Sequence, residues 1–209
     1  MIALGGLGWI NAKEYGCVNQ SIRVRYDTKA ISLKKESFLH PFENFGRLDA
    51  ISKMTCYAIG LALKDADLFY PTQQKQEIGI ISTNSSGCTQ SDVNYFKDYL
   101  ENGRTLSRGN LFIYTLPSSP LSEAAIHFGI EGPLFYWTNQ ERSLAELVDM
   151  AAEMICLDEA CMMLAGTAEE NGAVFGVLSE YSDNDHVLGD LEQAKSILTE
   201  QSRISFYYE

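Results

Sequence analysis

Residues 124–137 read AAIHFGIEGPLFYW, and within this stretch a helix gives way to a buried strand. The helix is predicted to open at Pro120 and to end at Phe128 and Gly129. The segment Phe-Gly-Ile-Glu-Gly-Pro then forms a turn between the two elements. The strand that follows, residues 134–137, is apolar at every position, which is typical of a strand covered on both faces.

The same alternation of helix and strand extends outward in both directions. Strands are predicted where apolar residues run together, at residues 1–10, 77–82, 134–137, 160–166, 173–179 and 204–208. Helices are predicted from the spacing of apolar residues, at residues 47–66, 89–102, 120–128, 141–157 and 189–201. Residues 104–116 are predicted to be a loop. Buried strands joined by helices predict an α/β fold with a mostly parallel sheet covered on both faces.

The charge of the chain restricts its partners. A formal net charge of −12 would repel a phosphate backbone, so we expect no nucleic-acid binding. The same charge disfavours direct docking of an acidic carrier protein. No apolar run reaches the roughly 18 residues of a membrane span. The apolar start of the chain has no basic region before it, so we expect no targeting signal and a cytoplasmic protein.

The residue types that bind metals and cofactors are scattered. The five cysteines show no Cys-x-x-Cys spacing, which argues against a zinc site and a disulfide framework. Gly5-Gly6-Leu7-Gly8 lacks the spacing of a dinucleotide-binding loop, and we interpret it as the end of the first strand. We interpret the pair Glu169-Glu170 as a solvated strand end. We therefore expect no metal and no cofactor.

Four segments resemble β-ketoacyl synthases of the thiolase fold, and they occur in the same order as in that family. They are GRLDAISK with ALKDA (46–53 and 62–66), IGII (78–81), AAIHFGIEGP (124–133) and ACMMLAGT (160–167). The resemblance covers residues 1–180 and implies one half of a thiolase fold, with element order βαβαβαββ and a mostly parallel five-stranded sheet. Residues 181–209 are then a C-terminal extension, a helix and a strand, packed on the same domain.

The resemblance implies a nucleophilic cysteine directly after the strand at 134–137, at the start of a buried helix. Helix amides and the helix dipole there favour a thiolate and an oxyanion. Residues 137–144 read WTNQERSL, without a cysteine. Counting back from Leu144 places Gln140 at the nucleophile position, whereas counting forward from Gly132 places Glu141 there. We favour Gln140, because helix register is firmer than loop length, and neither residue can form an acyl thioester.

A glutamine at this position resembles chain-length factors, which are non-condensing subunits paired with an active ketosynthase. The family's catalytic histidines come from a second half of the fold, which we expect this chain to lack. The resemblance thus implies a non-catalytic subunit in fatty-acid or polyketide-type biosynthesis that shapes the acyl tunnel or chain length, with the acyl carrier protein bound indirectly. Two alternatives stay open: a homodimeric binding or scaffold protein, and a thioester-directed enzyme that uses Glu141 as a base.

An apolar cluster between residues 112 and 137 is the candidate contact surface. The resemblance implies that Phe112, Ile113 and Tyr114 approach the acyl tunnel of a partner. The strand Leu134, Phe135, Tyr136 and Trp137 would expose an apolar edge in an isolated half-fold, which predicts a dimer with an active ketosynthase or with a second copy. The alternative is an ordinary core cluster. Three further candidates for chemistry are expected to be packed or surface residues: Cys88, His127 and His186.

Overall fold

The computed structural model describes residues 1–25, 33–70, 75–104, 108–138, 143–182 and 187–206. The strands within these ranges are β1 (Ile2–Asn11), β2 (Glu14–Cys17), β3 (Ile22–Arg25), β4 (Ile78–Thr83), β5 (Leu134–Tyr136), β6 (Met162–Glu169), β7 (Gly172–Glu180) and β8 (Gly189–Asp190). The helices are α1 (Leu33–Ser37), α2 (Ala50–Asp65), α3 (Thr89–Glu101), α4 (Gly109–Ile113), α5 (Ser119–Phe128), α6 (Leu144–Cys156) and α7 (Leu191–Phe206), with a 3₁₀ turn at Phe45–Arg47. The α/β class is confirmed.

The strands form one sheet in the order β3-β2-β1-β7-β6-β4-β5, and β8 pairs with β1. The two pairs that β4 forms, with β5 and with β6, are parallel, and the other pairs of the described strands are antiparallel. The predicted mostly parallel, five-stranded sheet is therefore wrong in its pairing and in its strand number. The tight turn at residues 170–171 joins β6 to β7 as a hairpin, and β7 then lies between β6 and β1. Since a hairpin reverses the chain, β7 runs against both neighbours, although β1, β4, β5 and β6 all point the same way.

Helices cover both faces of the sheet and bury two core clusters. On one face, α2 and α5 pack over β1, β4 and β7 around Ile59, Ile80 and Phe128. On the other face, α6 and α7 enclose the second cluster. The buried residues of α6 include Leu144, Leu147, Val148, Ala151 and Ile155. Their spacing of three and four positions is the reason why this helix could be predicted from the sequence.

Gly6 and Gly8 lie within β1 rather than at its end, contrary to the prediction. A Cβ atom at Gly6 would lie 2.5 Å from the backbone nitrogen of Ala66, and one at Gly8 would overlap backbone atoms of Ala58 and Ala62. The two glycines thus allow the backbone of α2 to approach the backbone of β1. Their role is close helix–sheet packing.

Two other elements differ from the sequence prediction. The sequence predicts a final strand at Ile204–Tyr208, but α7 continues to Phe206. The prediction is therefore wrong for residues 204–206. The buried residues of α7, Ala194, Leu198 and Ser205, are four and seven positions apart, which keeps one helical face on the sheet. Residues 207–209 lie outside the described residues. The segment 104–116, predicted as a loop, contains the short helix α4.

Candidate functional site

The carboxyl ends of β4 and β5 meet at one edge of the sheet, and side chains join the loops that follow them. The Tyr136 hydroxyl donates a hydrogen bond of 2.6 Å to Asn84 Oδ1. The Asn84 side chain also accepts from the Gly87 N–H at 2.7 Å and donates to the Gly87 carbonyl at 3.0 Å. Gly87 has a φ of 60°, a conformation that glycine adopts without strain. The β4–α3 turn is therefore held against the carboxyl end of β5.

The segment Phe-Gly-Ile-Glu-Gly-Pro positions β5. Gly129 ends α5 in the left-handed conformation, with a φ of 68°. A Cβ at Gly132 would lie 2.5 Å from the Ile78 carbonyl oxygen, so the chain passes directly against β4 at this point. The Pro133 carbonyl accepts from the Ile80 N–H at 2.8 Å. These residues, Gly129, Gly132 and Pro133, thus position β5 alongside β4.

Helix α6 begins three residues later than predicted, at Leu144 instead of 141. Ser143 caps it, and its hydroxyl oxygen accepts from the Glu146 N–H at 3.3 Å. This cap uses one of the amides at the helix start that an oxyanion would need. Gln140 and Glu141, the two candidates for the nucleophile position, lie in 139–142, outside the described residues.

The described cysteine that follows β4 at this edge, Cys88, is a protonated thiol. Its Sγ donates to the Thr115 carbonyl at 2.8 Å and lies 3.5 Å from Asp92 Oδ2. Burial, and then the Asp92 carboxylate, raise the pKa of the Cys88 thiol. Cys161 lies directly before the amino end of β6, where its Sγ donates to the Glu77 carbonyl at 3.0 Å. The surroundings of Cys88 therefore do not favour a thiolate nucleophile.

Two histidines lie in an aromatic cluster at the end of α5. The ring of His127 stacks on Phe42, with 3.8 Å between ring centroids and 5° between planes. Burial, and then the nearby charge of His40, lower the pKa of His127 to about 4, so the ring is neutral at pH 7. His127 precedes the amino end of β5, away from the nucleophile position. It is a packed residue, as predicted; His186 lies outside the described residues.

Glu169 ends β6 and is partly exposed, in agreement with the predicted solvated strand end, and it also makes contacts that the sequence did not indicate. Its carboxylate accepts from the Ser85 N–H and, at 3.0 Å, from the Ser86 hydroxyl, so it fixes the β4–α3 turn to β6. A polar pocket of about 480 Å³ lies beside this contact, with Asn171 and Phe206 in its wall. Within the described ranges, no group of three or more His, Cys, Asp or Glu residues could hold a metal ion.

The structure divides the predicted contact surface into exposed and packed residues. Phe112, Ile113 and Phe135 are exposed by 53%, 50% and 42%. Tyr114 is buried, and its hydroxyl donates to Glu123 Oε1 at 3.2 Å, so its side chain belongs to the core. The other three residues of the set are half-buried and pack against the core clusters: Leu134, Tyr136 and Trp137. Strand β5 is the last strand of the sheet within the described residues.

Sequence reasoning missed an exposed apolar surface on α3. Val93, Phe96 and Leu100 share one face of this helix and are exposed, whereas Asp98 is its only buried residue. The spacing of these apolar residues is that of a packed helix, so the sequence alone favoured burial. In contrast, the outer face of α6 is acidic, with Glu146, Asp149 and Glu153 exposed. We use the name α3–β5 surface for the exposed apolar residues of α3, α4 and β5 taken together.

A buried carboxylate attaches α4 to α3. Asp98 accepts from the Arg108 backbone N–H at 3.0 Å and from its Nε at 2.7 Å. These contacts with Arg108 lower the pKa of Asp98, and the hydrogen bond from the Arg108 backbone N–H has the largest effect. Phe112 also contacts Tyr95 of α3, with 5.5 Å between ring centroids. The two helices are therefore one unit that presents Phe112 and Ile113 outward.

No helix of the described residues is long and apolar enough to cross a membrane. No protein-family model matches the chain, and no curated protein matches its sequence. Solved structures do match.

One similar structure is described as AntDE:AntF, a type II polyketide synthase acyl-carrier protein in complex with its ketosynthase bound to the hexaketide (TM-score 0.63, 16% identity, covering 86% of this chain and 62% of that chain). A β-ketoacyl synthase from Burkholderia phymatum STM815 has a TM-score of 0.60 at 19% identity, over 94% of this chain and 60% of that one. The ishigamide ketosynthase/chain length factor has a TM-score of 0.58 at 13% identity, over 89% of this chain and 63% of that one. This chain, which thus spans 60% to 63% of the length of these three, has the ketosynthase-like thiolase fold.

Proposed function

We propose that this chain is a non-catalytic ketosynthase-like subunit that pairs with an active ketosynthase in fatty-acid or polyketide-type biosynthesis, in the cytoplasm. The observations that carry the proposal are the position of β5 as the last strand of the described sheet, with Phe135 exposed on it, and the exposed apolar residues Phe112 and Ile113 of α4. A strand at the side of a sheet can pair with a strand of another chain, and exposed apolar side chains favour a partner over water. The α3–β5 surface is thus the proposed interface.

The partner would supply the chemistry. Cys88 is held as a thiol by the Thr115 carbonyl and Asp92, and neither Gln140 nor Glu141 can form an acyl thioester. Two of the similar structures are described as a ketosynthase/chain length factor and as an acyl-carrier protein in complex with its ketosynthase. Pairing of this chain with an active ketosynthase extends that likeness from fold to function.

Charge supports an indirect role towards the acyl carrier protein. The chain carries a net charge of −12, and the outer face of α6 exposes three carboxylates. Carrier proteins that are themselves acidic would be repelled by this surface. The carrier is therefore expected to dock on the ketosynthase partner, and the apolar α3–β5 surface is left for the subunit contact.

The exposed residues of α4 would shape the acyl tunnel. Phe112 and Ile113 project from a helix that Asp98 holds in place, so they can form a fixed wall against a partner. Tyr114 is buried and is no longer part of this wall. Replacement of Phe112 by alanine should lengthen or broaden the product distribution of the reconstituted pair.

Co-expression with candidate ketosynthases of the same organism tests the proposal. Native mass spectrometry should detect a one-to-one complex with one of them. The Phe135→Asp variant places a charge on the β5 edge and should abolish that complex. The control is Leu157→Asp, because Leu157 is an exposed apolar residue, at 63%, at the end of α6 on the other helical layer. A complex that survives Phe135→Asp, or that Leu157→Asp disrupts equally, contradicts the proposed interface.

The position of β5 as the last strand of the described sheet also favours a second candidate, a homodimeric scaffold protein in which two β5 strands pair. Light scattering after size-exclusion chromatography distinguishes the two. A dimer of the chain alone that is lost in Phe135→Asp supports self-pairing. A monomer at micromolar concentration that is captured only by a ketosynthase supports the heteromeric subunit.

A further inference from the structure

We propose that α3 and α4 open together, as one unit, while the rest of the fold stays closed. Among the described elements, the two helices pack mainly against each other rather than on the sheet. Both carry exposed apolar residues of the α3–β5 surface, so the closed unit holds these residues in place and the open unit does not. The opening is a property of the chain alone, and the inference does not depend on the proposed function.

Helix α3 has little of the packing that stabilises α6, although both helices have 13 residues. Helix α6 buries six residues in the core, whereas α3 buries only Asp98. The side chain of Ser143 caps α6, whereas Cys88, at the same position before α3, makes no side-chain cap hydrogen bond. A side-chain cap contributes about 1 kcal/mol. Helix α3 therefore lacks two of the contributions that hold α6 closed.

The sequence of α3, TQSDVNYFKDYLE, gives the helix little stability of its own. Most of its residues are serine, threonine, asparagine, aspartate, valine or aromatic residues, which form helices less readily than alanine, leucine, lysine or glutamate. Isolated helices shorter than about 12–15 residues are marginal in water even when they are rich in alanine. The helical state of α3 therefore depends on its contacts with α4.

The contacts between α3 and α4 make the opening cooperative. Asp98 of α3 accepts from the backbone N–H and from the Nε of Arg108, directly before α4. The ring of Tyr95 contacts the ring of Phe112. Helix α4 has only five residues and buries none of them, so it needs these contacts as much as α3 does. Because loss of either helix removes contacts of the other, we expect the two to open together.

The chain is fixed on both sides of this unit, which confines the opening. Before α3, the Asn84 side chain holds Gly87 through hydrogen bonds of 2.7 and 3.0 Å. After α4, Tyr114 is buried in the core that α2 and α5 cover. The Ser91 hydroxyl in the first turn of α3 donates to Asp49 Oδ2 at 2.9 Å, a contact that the opening has to break. The sheet and the other helices need not move.

Native-state hydrogen exchange of the full chain at low urea concentrations tests the inference, with α6 as the internal reference of equal length. We expect the amides of α3 and α4 to be protected about 100-fold less, or weaker still, than those of α6. Their exchange should depend little on urea, because the opening exposes little buried surface, whereas exchange in α6 should follow the unfolding of the whole chain.

A pair of matched variants tests whether the two helices open as one unit. Asp98→Asn weakens the contact with Arg108 and should raise exchange about tenfold in α3 and α4 alike, the size of one hydrogen bond to a charged group. Asp149→Asn removes an exposed carboxylate of α6 that pairs with Lys195, and should leave exchange in α3 and α4 unchanged. The inference is overturned if α3 is as protected as α6, if Asp98→Asn accelerates exchange in only one of the two helices, or if Asp149→Asn accelerates it equally.

Discussion

Acidification should destabilise this protein through His127, and the structure sets the size of the effect. The pKa of His127 is lowered from 6.5 to about 4 in the folded chain, chiefly because the ring is buried. The unfolded chain therefore binds a proton first as the pH falls. Stability from the neutral ring is fully present above pH 6.5 and is lost as the pH falls towards 4. A difference of about 2.5 pKa units corresponds to at most about 3.4 kcal/mol, which partial exposure of the ring reduces to about 1–2 kcal/mol.

The variant His127→Phe isolates this contribution. Phenylalanine preserves the stack on Phe42 and removes the ring nitrogen Nε2, which is buried without a hydrogen-bond partner among the described residues. The assay is urea unfolding followed by circular dichroism at pH 7.5, 5.5 and 4.5. Carboxylate titrations are common to both proteins, so the difference between their pH profiles reports on His127. The variant should be at least as stable at pH 7.5 and should lose about 1–2 kcal/mol less by pH 4.5. Identical pH profiles for the two proteins would refute the assignment of His127 as a neutral packed ring.

Three further substitutions test the packing of β1 on α2, the hydrogen bonds to Asp65 and the attachment of α4 to α3. Gly8→Ala should cost about 3 kcal/mol in urea unfolding, because the new Cβ overlaps the α2 backbone, while Gly46→Ala, with open space around it, should cost much less. Asp65→Ala should cost about 2–3 kcal/mol, because it removes the acceptor for the Leu7 and Gln20 N–H groups at 2.9 and 3.0 Å. Asp98→Asn should increase hydrogen exchange in α4 while α6 is unchanged, because the contacts with Arg108 weaken. Unchanged stability in either of the first two variants, or unchanged exchange in the third, would contradict the corresponding contact.

The elements that the sequence predicted best are those whose own residues form a clear local pattern. The apolar residues of α6 repeat every three to four positions over three turns, and this local pattern predicts the helix without knowledge of its neighbours. The turn from Gly129 to Pro133 was also predictable, because a glycine and a proline restrict the backbone locally.

The strand pairing could not be predicted, because it depends on contacts between distant residues. The sequences of β1, β6 and β7 are all largely apolar. No local pattern in them indicates that β7 lies between the other two strands. The role of Glu169 depends equally on distance in the sequence, since its partners Ser85 and Ser86 are more than 80 residues away. The exposed face of α3 has the apolar spacing of a buried helix, so only the tertiary structure distinguishes the two.

We propose that the partner is acylated and that this chain is not. Intact-mass spectrometry of the co-purified complex, after incubation with acyl and malonyl thioesters, tests this most directly. The account predicts an acyl adduct on the ketosynthase partner and none on this chain, because Cys88 is a protonated thiol and no thiol occupies residues 137–144. Acylation of this chain, or turnover of a thioester by this chain alone, would contradict the non-catalytic role.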